Sequence, residues 1–142
     1  MLKINFNKRV KCSWTSGRIK KVFNIISSRI KISGELEINI VGEKEIKDLN
    51  FRYRKKNKVT DVLSFAWQED SVVKTKNLGQ IYICYPQIER QAKEFKVLVE
   101  EEFVRMLTHG FLHIIGYNHE KNKDAKKMFK IQEEVVGEVF KN

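Results

Sequence analysis

Along GELEINIV (34–41), apolar and polar side chains alternate without a break. Leu36, Ile38 and Ile40 fall on one side, and Glu35, Glu37 and Asn39 on the other. A period of two predicts a half-buried strand. LKINF (2–6), DVLSFAW (61–67) and GQIYICY (79–85) also read as strands. In DVLSFAW, Val62, Ser64 and Ala66 share one face and Leu63, Phe65 and Trp67 the other. The aromatic face is expected in the core.

Elsewhere the apolar spacing changes to threes and fours, the mark of amphipathic helices. Ile19, Val22, Phe23, Ile26 and Ile30 form one stripe, and Ile46, Leu49 and Tyr53 form another in EKEIKDLNFRYR (43–54). Pro86 stands at the head of PQIERQAKEF, where a missing N–H costs nothing. Residues 97–115 are strongly apolar at helical spacing and predict a central buried helix that Gly116 ends. A last helix is expected from about Asp124 to Phe140, on Ala125, Met128, Phe129, Ile131, Val135 and Val136. The order is strand, helix, strand, helix, two strands, three helices. It predicts an α+β fold, a single domain over 1–142. A small mixed sheet of about four strands would be packed by about five to six helices.

Composition narrows the class. The chain has 142 residues, 42% of them hydrophobic, enough for one core. Its apolar runs are short and interrupted by charge, so neither a membrane span nor a leader is expected, and the expected location is cytoplasmic. Cys12 and Cys84 form no CxxC pair, and Cys84 sits in an apolar run as a small hydrophobe. The net charge is +10, and Lys8 to Lys31 carries eight basic residues and no acidic one. RYRKKNK (52–58) is a second basic cluster. A polyanionic partner such as RNA or DNA suits this balance, although a lysine-rich surface alone would also produce it.

All three histidines lie in HGFLHIIGYNHE (109–120). His109 and His113 are one helical turn apart, on one face, able to hold a single metal ion. A turn at Gly116 could bring His119 to the same ion. Three imidazoles with one open position describe a catalytic zinc site better than a structural one. The spacing overlaps the metzincin protease motif, in which a glutamate follows the first histidine as general base. Here that position is Gly110, so a peptidase is disfavoured.

HGFLHIIGYNHE resembles the HGxLHLxGYDH signature of the YbeY endoribonuclease family. YRKKNKVTDVLSFAW resembles that family's YRxxDxPTDVLSFP segment, and LGQIYIC its LGDIxI strand. The resemblance spans Leu49 to Glu120 in the right order. It implies a metal-dependent, single-strand-specific endoribonuclease acting in 3′-end maturation of small-subunit ribosomal RNA and in ribosome quality control. By position it implies His109, His113 and His119 as ligands of one zinc ion per chain, and Arg54 as the arginine of the cleft. Its partners would be single-stranded ribosomal RNA and, further, ribosomal proteins. The sequence departs from the pattern at Asn57, Val59, Ala66, Gln80 and Asn118. Asn118 replaces an aspartate; it can accept a hydrogen bond but cannot act as a base.

The residue chemistry agrees with an RNA substrate. Zinc polarises a phosphodiester oxygen and lowers the pKa of bound water to about 7. Arg54 could hold a phosphate oxygen through its fork of donors, or be one more solvated charge in a basic loop. Ser64 is a candidate for the cleft floor, and Thr60 for a phosphate contact or a loop cap; structural roles suit both equally. Two other classes stay open: a non-catalytic RNA- or ribosome-binding module that holds zinc, and a metallohydrolase of another kind.

Overall fold

The computed structural model describes residues 2–67, 77–117 and 122–141. Among these described residues four strands and five helices follow in the order β1 (Leu2–Lys8), α1 (Ser16–Arg29), β2 (Gly34–Val41), α2 (Glu43–Arg54), β3 (Val62–Ala66), β4 (Asn77–Cys84), α3 (Tyr85–Phe95), α4 (Val99–Ile114) and α5 (Asn122–Val139). This is an α+β fold with one mixed sheet. The spatial strand order is β1-β2-β4-β3. β1, β2 and β4 run parallel, and β3 pairs antiparallel to β4.

Strand register assigns the two faces. Ser64 pairs with Ile81 and Val62 with Ile83, so these four point the same way. They join Leu36, Ile38 and Ile40 of β2 under a core that includes Ile19, Val22, Phe23 and Ile26 of α1 and Phe103, Val104, Leu107 and Phe111 of α4. Each fully buried apolar side chain of this kind contributes about 1.5–3 kcal/mol. The opposite face holds a smaller cluster, Val41, Ile46, Leu63 and Cys84, roofed by α2. Burial raises the Cys84 thiol above its ordinary range, which keeps the thiolate scarce.

The periodicities name the elements but mistake several inner positions. β2 is central, between β1 and β4, so Asn39 on its polar side is fully buried. Its amide meets the need for partners locally, accepting from Asn7 and donating to Glu37. In α2 Ile46 is buried, yet Tyr53 is 59% exposed and Asn50 takes the inner place. The Asn50 side chain donates to the Lys58 carbonyl at 3.0 Å and ties down the loop that follows the helix. In β3, Leu63 is buried and Phe65 only partly, and Trp67, just past the strand, is 59% exposed. Leu98 is an exposed N-cap of α4 rather than part of its stripe. In α5, Phe129 faces outward and Gln132 is buried in its stead.

Two glycines set how closely the layers approach. Gly79 has φ +148°, and a Cβ there would lie 2.2 Å from the Phe65 carbonyl oxygen, so the β3–β4 pair needs glycine at that point. A Cβ on Gly110 would come within 2.8 Å of Ser64 Oγ, 3.1 Å of Val62 Cγ2 and 3.3 Å of Ile81 Cγ2. α4 therefore lies directly on β3 and β4 at the point where it carries its histidines.

Candidate functional site

The close approach of α4 to β3 shapes a cleft of about 360 Å³ lined by Arg54, Thr60, Asp61, Val62, Ser64, Met106, His109 and His113. Three elements supply it: the C-terminal end of α2 with its loop, the edge strand β3, and α4. Five residues singled out in the sequence thus share one cavity: Arg54, Thr60, Ser64, His109 and His113. Asn118 and His119 lie outside the described residues.

The two histidines converge. Nε2 of His113 stands 3.1 Å from Nε2 of His109, with the rings edge to face. Two nitrogens each about 2.0–2.1 Å from a tetrahedral ion would stand ~3.3 Å apart. The pair therefore fits a shared zinc ion as two of its ligands, and neutral imidazole is a donor that zinc favours. Among the described residues no group of three or more His, Cys, Asp and Glu side chains gathers as a metal site.

Ser64 donates its hydroxyl hydrogen to the Gly110 carbonyl at 2.9 Å. That bond staples strand to helix beside His109 and commits the one proton of the Ser64 hydroxyl. Asp61 is the one carboxylate among the described lining residues. Its Oδ1 accepts from the Val62 N–H at 2.7 Å and from the Thr60 hydroxyl at 3.4 Å. Its carbonyl accepts from the Cys84 N–H, which fixes the start of β3 against the end of β4. Thr60 is thus held as a loop residue. Arg54 is exposed at the last position of α2, with Arg52, Lys55, Lys56 and Lys58 around it. Lys55 adopts a left-handed conformation (φ 60°) that ends the helix and turns the basic loop.

Four residues at the site carry no role in the sequence reading: Asp61, which nonetheless lies inside the quoted VTDVLSFAW segment, Met106, Phe129 and Gln132. Phe129 is 48% exposed, with its ring centroid 6.3 Å from that of His109. Gln132 is 3% exposed, and its Oε1 lies 2.9 Å from His109 Nδ1. A signal for Gln132 was present in the sequence, since it sits four residues after Met128 and three before Val135 on an apolar stripe. A polar side chain there needs a buried partner.

Gly110 explains the departure from the protease motif. A Cβ there already meets Ser64, Val62 and Ile81, so a glutamate at this position would have to press into the strands beneath α4. The fold and cleft together define a class: a mixed α+β domain whose central helix sets paired histidines beside a basic rim. Within that class the chain belongs to the YbeY family, since the family model described as Endoribonuclease YbeY matches residues 3–139. A protein named Endoribonuclease YbeY from Ureaplasma parvum serovar 3 is 38% identical over 126 residues, covering 87% of this chain and 81% of the relative. One of the same name from Oceanobacillus iheyensis is 42% identical over 112 residues, covering 73% of each chain. The solution structure of TM1509 from Thermotoga maritima superposes with a TM-score of 0.67 at 30% identity, covering 97% of this chain and 89% of that one.

Proposed function

We propose that this chain is a zinc-dependent, single-strand-specific endoribonuclease that acts in 3′-end maturation of small-subunit ribosomal RNA and in ribosome quality control, in the cytoplasm. The observation that carries the reading is the 3.1 Å convergence of the His109 and His113 Nε2 atoms on a cleft that also holds Arg54. Family membership supports the endoribonuclease activity. The +10 charge supports a polyanionic substrate. Among the described residues, no helix is long and apolar enough to cross a membrane.

His109, His113 and His119 would hold the ion, one per chain. When bound, zinc supplies Lewis-acid activation of a phosphodiester oxygen and of water. The chain's own residues do the rest. Arg54 grips a nonbridging phosphate oxygen and stabilises the charge that develops there. Asp61 is the cleft's candidate proton acceptor, and Thr60 and the Val62 N–H orient its carboxylate. Ser64 and Gly110 hold the floor at fixed height. Phe129 offers an exposed ring on which an unpaired base can stack. A duplex keeps its bases stacked and withholds them from such a surface, which accounts for single-strand preference.

The test is an incubation of the purified, zinc-loaded protein with single-stranded RNA, duplex RNA and casein, beside a His113→Ala variant and a chelator control. Cleavage of single-stranded RNA alone, lost in both controls, is expected. RNA cleavage that survives either control sinks the zinc reading, and cleavage of casein alone points to a peptidase. RNA binding without cleavage points to a non-catalytic ribosome-binding module, the role that Asn118 would suit.

A further inference from the structure

Beside its apolar contacts, α5 turns the buried polar side chain of Gln132 toward the histidine helix. The Gln132 amide has its orientation fixed on both sides. Nε2 donates to Glu133 Oε2 at 3.1 Å, and Oε1 faces His109 Nδ1 at 2.9 Å. The reverse orientation would set the amide oxygen against a carboxylate oxygen, and neither has a hydrogen to share. The carboxylate is itself anchored. Arg105, one turn before His109 on α4, donates from Nε and Nη2 to the two oxygens of Glu133 at 2.9 and 3.1 Å. The same guanidinium reaches the buried Glu102 at 2.9 Å and Glu101 at 3.2 Å. Arg105, Glu133, Gln132 and His109 thus form a chain of polar contacts between α4 and α5.

A carbonyl oxygen only accepts, so the hydrogen of this contact belongs to Nδ1 of His109. We propose that Gln132 is a positioning residue: it holds neutral His109 in the Nδ1–H form and aims the lone pair of Nε2 at His113 and the cleft. In the other tautomer Nε2 carries hydrogen and has no lone pair to give a metal. The tautomer assignment stands on this geometry alone, and its consequence for metal affinity rests on the zinc reading above. Outer partners of this kind typically change metal affinity by about 10–100-fold when removed.

The experiment compares the wild type with Gln132→Leu, which removes the acceptor at similar size, and Gln132→Glu, which keeps one. Two-bond ¹H–¹⁵N spectra of the metal-free proteins at about pH 8, where imidazole is neutral, read the tautomer directly. His109 should be Nδ1–H in the wild type and in Gln132→Glu, and shift toward Nε2–H in Gln132→Leu. Zinc affinity, measured by competition with a chromophoric chelator, should fall about 10–100-fold in Gln132→Leu and be retained in Gln132→Glu. An Nε2–H tautomer in the wild type overturns the proposal. So does equal zinc affinity across three proteins with the same far-UV spectrum. If Gln132→Leu does not fold, the wild-type tautomer and the Gln132→Glu affinity still decide. A wild type that binds no zinc overturns the metal reading, while the spectra still judge the tautomer.

Discussion

The two faces of the sheet share their strands and differ in almost everything else. One face lies under α1, α3, α4 and α5, where Leu36, Ile38, Ile40, Ile81 and Ile83 are fully buried. Among the described residues the other has α2 alone, a cluster of four fully buried apolar residues, and an edge-to-face series of Tyr53, Phe65 and Tyr82 that runs out toward solvent. The candidate chemistry sits on the border. His109 and His113 stand on the helix that Gly110 seats against the tight face, and Arg54 comes from the end of the helix on the loose one. The histidine pair therefore stands on close packing, while Arg54 sits on an exposed helix end. The difference teaches that two sides of one cleft can differ in how tightly their residues are held: α4 is seated by close contact with β3 and β4, and the end of α2 is open to solvent.

The largest break in that contrast should come from Gly110→Glu. It drives a carboxylate and its stem into Val62, Ser64 and Ile81, and should cost roughly 5 kcal/mol or prevent folding. Urea unfolding and far-UV circular dichroism measure it; a folded variant that cleaves casein would return the site to the protease class. Next, Phe111→Ala on the tight face should lose about 3–4 kcal/mol, whereas Phe65→Ala on the loose face should lose about 1–1.5 kcal/mol. Equal midpoint shifts in urea would erase the contrast.

Arg54→Ala should leave the urea midpoint within about 0.5 kcal/mol of wild type but lower kcat for single-stranded RNA about 10²–10³-fold. A comparable loss of stability would make Arg54 part of the scaffold. A smaller effect is expected of Glu133→Gln. Arg105 holds the Glu133 carboxyl below its ordinary range. A lowered folded-state value stabilises above the ordinary carboxylate pKa of about 4.3, and that contribution disappears as pH falls through the lowered value. The pair is half in water, so the variant should be less stable by only about 0.5 kcal/mol at neutral pH, with the gap closing as the pH falls below the ordinary carboxylate range. A gap that widens on acidification would reverse the assignment. Trp67→Ala should change stability least, by under about 0.5 kcal/mol, despite removing the largest type of side chain.

Much of this was legible along the chain. Alternation in GELEINIV and the three-and-four spacing in HGFLHII need only local geometry, because a strand repeats every two residues and a helix places residues four apart on one face. The one-turn spacing of His109 and His113 was visible for the same reason. Trp67 and Tyr53 were not legible as exposed, since a periodic pattern says which residues share a face and not whether another element covers it. Asp61 stood inside the VTDVLSFAW motif but without a role, because its place in the cleft depends on β3 lying at the sheet edge beside α4. Gln132 left a trace as a polar residue on an apolar stripe, but its partner is twenty-three positions away.

The sequence by itself determined the elements, the strand faces, the histidine pair and the family signature, all consequences of short-range spacing. Only the tertiary structure decided that Gly110 faces the sheet, that Ser64 staples strand to helix, and that Gln132 reaches His109. Those facts depend on the distance and angle between elements far apart in the chain, which close packing fixes and no local repeat encodes.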